Sequence, residues 1–218
     1  MSSGIRNTIL ACLAFMALMV GLFVNNMLRE PELSDDELRE QGIIVLPQPR
    51  ELEPFELTGS NGEPFTREDL VGQWTFAYFG FTHCPDICPV TLSVMGRARQ
   101  QLLEAESGKE SEAGAFQGIM VSVDPERDTP EVLEEFVTYF SPDFVGVTGS
   151  REEIAELAGQ VSVAFAAMPD PDAPDGYVVD HTGNIVIINP RGHYHGFIRM
   201  PHSADQVVLA YETLRGRM

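Results

Sequence analysis

Cys84 and Cys88 lie four positions apart in Gly80-Phe81-Thr82-His83-Cys84-Pro85-Asp86-Ile87-Cys88-Pro89, directly after a β-type apolar run. The chain has three cysteines, and the third, Cys12, belongs to an N-terminal apolar stretch. The rest of the chain therefore keeps both of its thiols in one place. On a helix, residues i and i+4 share a face. Two thiols so placed close either on one soft metal ion or on each other. Two thiolates suffice for linear Cu(I). Holding copper in both oxidation states calls for a third donor, and imidazole is the natural one.

Five histidines are available for that role. His83 adjoins Cys84, and immediate neighbours chelate one ion only with strain. His193 and His195 alternate along an expected strand and share one face, which reads first as an exposed edge. His202 precedes the last helix and reads as a surface residue. His181 stands in the turn before the expected strand 185–188. Asp180 beside it is placed to orient the ring or accept its N–H. Asp86, inside the motif, reads either as a charge that attracts a metal or partner or as a turn former. The loop 124–129 reads as turn and cap chemistry or as a flank of the site, with Arg127 and Asp128 as an ion pair.

The elements that must position these residues are legible in outline. Phe55-Glu56-Leu57-Thr58 and Glu63-Pro64-Phe65-Thr66 flank Gly59-Ser60-Asn61-Gly62, an Asn-Gly hairpin signal near the N-terminus of the domain. A strand is expected over 74–81 and a helix over 92–104, followed by a polar loop at 107–114 and a strand over 116–123. Thr129 caps a helix with Pro130 at its first position. A short strand at 144–148 and a helix capped by Ser150 come next. Residues 161–168 are β-like, 169–176 form a Pro/Asp-rich loop, and 185–189 pairs with 194–199. Ser203 caps a final helix. This alternation predicts an α/β fold, a mixed sheet flanked by helices. A thiol pair at a strand-to-helix junction in such a fold is the thioredoxin-like arrangement, where the helix N-terminus favours thiolate. Three intervening residues, one more than in thioredoxins, leave room for an ion between the sulfurs. In that fold the loop entering strand 185–188 faces the cysteines, and this selects His181.

The 218 residues are 44% hydrophobic, enough for one sizeable domain with an appendage. The net charge of −19 argues against nucleic acid, whose phosphates need Lys and Arg. Residues 7–28 carry no charge, and Arg6 and Arg29 bracket them. Small residues suited to signal cleavage do not follow the run, so it is expected to be an uncleaved transmembrane helix. Lipidation at Cys12 has too little apolar sequence before it. The expected domains are an anchor at 1–29, an acidic and Pro-containing linker at 30–50, and a thioredoxin-like copper-binding domain at 51–218.

With these motifs in place the chain resembles the Sco/SenC family of copper-binding, thioredoxin-fold assembly factors for cytochrome c oxidase. The resemblance rests on the cysteine motif, on Val121-Ser122-Val123-Asp124-Pro125-Glu126-Arg127-Asp128-Thr129-Pro130, and on Val179-Asp180-His181-Thr182, in order over about residues 50–216. It implies Cys84, Cys88 and His181 as copper ligands, with a single membrane anchor and a domain in the periplasm or the mitochondrial intermembrane space. No Arg-rich transit segment precedes the apolar run, which favours the bacterial inner membrane and the periplasm.

Two functions follow as expectations. One is a metallochaperone passing copper to the dinuclear copper site of oxidase subunit II, in exchange with other copper chaperones. The other is a thiol–disulfide oxidoreductase, served by thiol reductants, that keeps the acceptor's cysteines reduced through Cys84 and Cys88. A peroxidase needs Thr-x-x-Cys, and Thr82-His83-Cys84 has the wrong spacing. A purely structural disulfide would close too short a loop to stabilise much.

Overall fold

The computed structural model describes residues 3–28, 33–106, 115–173 and 175–217. In chain order they form α1 (Ser3–Leu28), α2 (Asp35–Glu40), β1 (Ile43–Glu51), β2 (Glu56–Gly59), β3 (Pro64–Thr66), a 3-10 turn (Arg67–Leu70), β4 (Thr75–Gly80) and α3 (Ile87–Glu106). Then come β5 (Gln117–Ser122), α4 (Pro130–Thr138), β6 (Val145–Thr148), α5 (Arg151–Gln160), β7 (Phe165–Pro169), β8 (Tyr177–His181), β9 (Ile185–Asn189), β10 (His193–Ile198) and α6 (Ala204–Gly216). The chain divides into two units, one holding α1 and the other everything from Ser34 onward.

In the second unit eight strands form one mixed sheet in the order β1-β10-β9-β4-β5-β6-β2-β3. β4, β5 and β6 run parallel. β9 lies antiparallel to β4, β10 to β9, and β1 to β10. β4 is the strand that carries the site. All six of its residues are buried, because strands pair on both edges and apolar side chains cover both faces. Phe76 packs on Phe116 with ring centroids 4.5 Å apart, and α6 contributes Tyr211 to the same cluster. α3 packs against α6, so the helix carrying Cys88 is held by the core. β7 and β8 form a separate two-stranded ribbon outside the large sheet.

The expected caps are in place. Thr129, Ser150 and Ser203 each accept a backbone N–H from the first turn of the helix they precede, and Pro130 opens α4. β2 and β3 pair antiparallel around residues 59–63, as the Asn-Gly signal predicts.

Three expectations need correction or restriction. The stretch 30–50 is not a linker over its described part. Ser34 caps α2 with a capping box, and Ile43–Glu51 is an edge strand on β10. Pro47 and Pro49 are compatible with this, because an edge strand leaves one row of N–H groups unpaired. The helix after the cysteines starts at Ile87 rather than 92. Among the described residues no helix is long and apolar enough to cross a membrane. Arg29, the start of the expected linker at 30–32, and the polar loop 107–114 lie outside the described residues.

Candidate metal centre

β4 ends at Gly80, and a short loop carries Cys84 to the start of α3, where Cys88 is the second residue. Only Cys88 is helical, so the two thiols do not meet by sharing a helical face. They meet because Cys84 acts at the end of the helix: its sulfur accepts the Cys88 backbone N–H at 3.5 Å. The first N–H groups of a helix lack partners within it, and an anionic sulfur suits them. Pro89 costs nothing there for the same reason.

The two sulfurs are unequal. Cys84 is half-buried and Cys88 fully buried. The Cys88 thiol hydrogen-bonds to Cys84 and brings it down to about 4, against the opposing effect of burial; His181 and the N–H groups of Asp86 and Cys88 assist. Donating to Cys84, together with burial, pushes Cys88 up. Cys84 is thus the thiolate at neutral pH and Cys88 the protonated neighbour.

His181 ends β8, and its Nε2 lies 3.6 Å from Cys88 Sγ. The two sulfurs and one imidazole nitrogen all fall within 4.8 Å of one another. Tyr78 and Phe81 each meet the His181 ring edge-on at 5.9 Å between centroids. Asp180 does not take the orienting role expected of it. Neighbours on a strand point to opposite faces, and Asp180 is exposed. The Thr182 carbonyl instead accepts from Nδ1 at 3.3 Å, which leaves Nε2 free to ligate.

The loop 124–128 holds both halves of the site. The buried Asp128 carboxylate accepts from the Thr82 N–H at 3.1 Å, from the Thr82 hydroxyl at 2.5 Å and from the Ser122 hydroxyl at 2.6 Å. Burial pushes its pKa up, making it a weaker acid, and these donors oppose the rise. This fixes the loop that carries Cys84. Asp124 accepts from Arg127 Nε at 2.5 Å and from the Tyr177 hydroxyl at 2.8 Å. Arg127 also reaches Asp175 at 2.9 Å and stacks 4.2 Å from the centre of the Tyr177 ring. These contacts tie down the ribbon that carries His181. Arg127 therefore pairs with Asp124 and Asp175 rather than with Asp128. Sequence reading gave no role to Thr82, Asp175 or Tyr177, whose partners lie far away in the chain.

A groove of about 610 Å³ opens beside the three residues. Phe81, Ile87 and Val178 line it, and Asp170, Asp172 and Asp175 stand at its rim. A larger groove, of about 870 Å³, lies along Val90, Gly96, Tyr139 and Phe140 and contains no cysteine or histidine.

The other histidines stay apart from the cluster. His83 is exposed, with Nδ1 3.0 Å from the Thr82 hydroxyl. Asp86 is exposed, and its N–H faces Cys84. His193 sits at the β9–β10 turn, where its N–H donates to Asn189. His202 lies between Thr91 and the Ile198 carbonyl, and burial lowers its basicity. His195 is packed rather than an open edge. It lies edge-on to Trp74 at 5.0 Å, and its Nδ1 faces the Asn189 amide at 3.2 Å. Burial, then Arg191 and Arg217, lower it from 6.5 to about 4. The folded protein therefore resists a proton that the unfolded chain accepts. The stability contributed by neutral His195 is complete above pH 6.5 and is lost as pH falls from 6.5 to 4. Urea midpoints measured across that window are expected to fall more steeply in the wild type than in His195→Gln. Equal slopes would exclude His195 as a source of acid sensitivity.

The family model SCO1/SenC matches residues 46–215. The chain belongs to the SCO1/SenC family. A putative copper-binding protein of Stutzerimonas stutzeri is 36% identical over 178 residues, covering 80% of this chain and 83% of that protein. The mitochondrial SCO1 homologue of Mus musculus is 41% identical over 141 residues, covering 65% of this chain and 48% of that protein. The chain thus spans about half the length of that mitochondrial relative. Among solved structures, copper-bound ScoI of Arabidopsis thaliana superposes with a TM-score of 0.66 at 34% identity, covering 75% of this chain and 98% of that one. BsSco, described as a cytochrome c oxidase assembly protein with a disulfide switch, superposes with a TM-score of 0.58 at 25% identity, covering 78% and 96%. The fold is therefore thioredoxin-like, as the relationship to solved Sco structures establishes.

Proposed function

We propose that this SCO1/SenC protein is a copper metallochaperone. It binds one copper ion through Cys84, Cys88 and His181 and passes it to the dinuclear copper site of cytochrome c oxidase subunit II. The observation that carries this reading is the convergence of two sulfurs and one imidazole within 4.8 Å. Two soft thiolates and a nitrogen are a donor set for Cu(I), and the nitrogen extends it to Cu(II). The Cys88 proton leaves to solvent as the metal enters. The half-exposed Cys84 and the adjacent groove give an acceptor's thiolates a route to the ion, so ligands exchange one at a time. Other copper chaperones would load the site by the same route.

The membrane anchor is part of the proposal and rests on the sequence. Residues 7–28 are uncharged. Within α1, Leu13, Phe15, Met16, Leu18, Val20, Leu22 and Phe23 are exposed, and aqueous exposure of so much apolar surface is unfavourable. We place the protein in a bacterial inner membrane with its folded unit in the periplasm. Protection of the folded unit from protease until the outer membrane is opened tests that placement.

A second reading is favoured by the unequal thiols. Cys84, a thiolate at neutral pH, would attack an acceptor disulfide and form a mixed disulfide with release of one acceptor thiolate. Cys88 would then lose its proton and attack Cys84, releasing the second acceptor thiolate. Two electrons and both bonds balance: this protein ends as a disulfide and the acceptor as a dithiol. One experiment separates the readings. The full chain in detergent is loaded with Cu(I) and mixed with the subunit II copper domain, whose cysteines are reduced beforehand. Transfer of copper to the acceptor is expected. Failure of that transfer, with metal-free protein reducing a disulfide form of the acceptor, would assign the second role instead.

A further inference from the structure

Tyr78 is buried completely, yet its hydroxyl makes no hydrogen bond of ordinary geometry among the described residues, although Thr91 and Cys88 lie beside it. A buried hydroxyl left unsatisfied carries its full desolvation cost. Phenylalanine would fill the same strand position without that cost, so packing gives no reason for the oxygen. Its location does. Tyr78 and Gly80 point to the same face of β4. A Cβ on Gly80 would sit 2.8 Å from Tyr78 Cε1 and 2.9 Å from Cys88 Sγ, so the phenol ring and the thiol close on the same glycine gap. The ring also meets His181 edge-on. A phenol is a neutral hydrogen-bond donor at ordinary pH.

In the metal-free protein Cys88 offers little to that donor. No hydrogen bond joins the phenol to the Cys88 sulfur in the structure, and a thiol sulfur is a weak acceptor. A metal-bound thiolate is a much better acceptor.

We propose that Tyr78 is a positioning residue for the loaded site, whose buried hydroxyl donates a hydrogen bond to the Cys88 sulfur when that sulfur holds a metal ion. The proposal rests on the copper reading. The bond orients the sulfur lone pairs and draws electron density from them. Hydrogen bonding around a ligating sulfur is one of the ways a protein sets the potential and spectrum of a copper–thiolate site. Tyr78 thus favours Cu(I) over Cu(II) relative to a site without it. No electron is transferred in this step, and the proton that Cys88 gives up goes to solvent.

The test uses Tyr78→Phe and Thr91→Val in the full chain, with Cu(I) titrated against a competing chelator and Cu(II) followed by sulfur-to-copper absorption. In Tyr78→Phe, Cu(I) affinity is expected to fall by about 10-fold, within the range for loss of a partner to a ligand. The absorption band moves to longer wavelength and the Cu(II)/Cu(I) potential drops. Metal-free Tyr78→Phe is expected to melt at or above the wild-type temperature, because an unsatisfied group is gone. Thr91→Val, which removes the other polar group beside the phenol, is expected to leave the band in place. If Tyr78→Phe binds copper with unchanged affinity and spectrum, or loses metal-free stability alone, Tyr78 is structural and the proposal fails. An equal band shift in Thr91→Val would assign the hydroxyl to Thr91 and overturn it as well. A wild-type protein that binds no copper at all would take down the copper reading and this one together.

Discussion

Cys88→Ser is expected to abolish copper retention. The wild-type protein, reduced and exposed to Cu(I), should keep one ion per chain after desalting, and the variant none. The expectation follows from the place of Cys88 in the cluster. Its sulfur is completely buried, and it is the atom that His181 Nε2 approaches at 3.6 Å. Serine oxygen is a hard donor that does not replace a thiolate for Cu(I). Loss of a ligand itself should exceed the roughly 10–100-fold cost of losing a ligand's hydrogen-bond partner. The fold should survive, because serine is close in size and remains in the first turn of α3. The variant should also leave Cys84 less acidic, since the hydrogen bond that does most to lower it comes from the Cys88 thiol. Full copper retention by Cys88→Ser would remove the metallochaperone reading.

His181→Ala is expected to split the two oxidation states. Cu(II) binding should weaken by about 100-fold or more, with loss of the sulfur-to-copper band, while Cu(I) binding falls by about 10-fold or less. Two thiolates satisfy Cu(I), whereas Cu(II) needs further donors and accepts imidazole readily. If transfer of copper dominates in the cell, this variant should impair oxidase assembly nearly as severely as loss of either cysteine, and added copper should rescue it in part. If thiol chemistry dominates, it should be almost silent, and chemical reductant should rescue the cysteine variants. An unchanged Cu(II) spectrum in His181→Ala would show that the third donor lies elsewhere, with His83, across the groove, the next to test.

Local chemistry made much of this site legible. Two thiols in a short segment, a threonine before Pro130 and a serine before each of two other helices are signals carried by adjacent residues. The structure uses the three caps as expected. What escaped was set by partners far away in the chain. Ile43–Glu51 looks like part of a spacer because it follows an acidic stretch and holds two prolines, and only β10, some 150 residues later, makes it a strand. Cys84 looked helical because the spacing invited it, but the helix begins three residues after it. Asp180 looked like the orienting partner of His181 because it is adjacent, and strand alternation turns it away. Thr82 and Asp128 are 46 positions apart, and no pattern within either segment announces their bond. Tyr78 was not singled out in the sequence, because its place beside Cys88 and its unpaired oxygen appear only in three dimensions.

The two halves of the candidate centre differ in how they can yield to force. The sulfurs stand in the short loop after β4 and at the start of α3, elements anchored in the eight-stranded sheet and the core. The imidazole stands on the β7–β8 ribbon, which shares no ladder with that sheet. Polar contacts at Tyr177 and Asp175 and hydrogen bonds between Thr182 and Ala164 secure it. Such contacts open at lower free energy than a packed core. The site is a vice with one fixed jaw and one that slides. On the proposed copper reading, the ion is released by retreat of the two-stranded arm, with the sulfurs staying where an incoming protein can find them. Cargo can leave this fold without the fold coming apart.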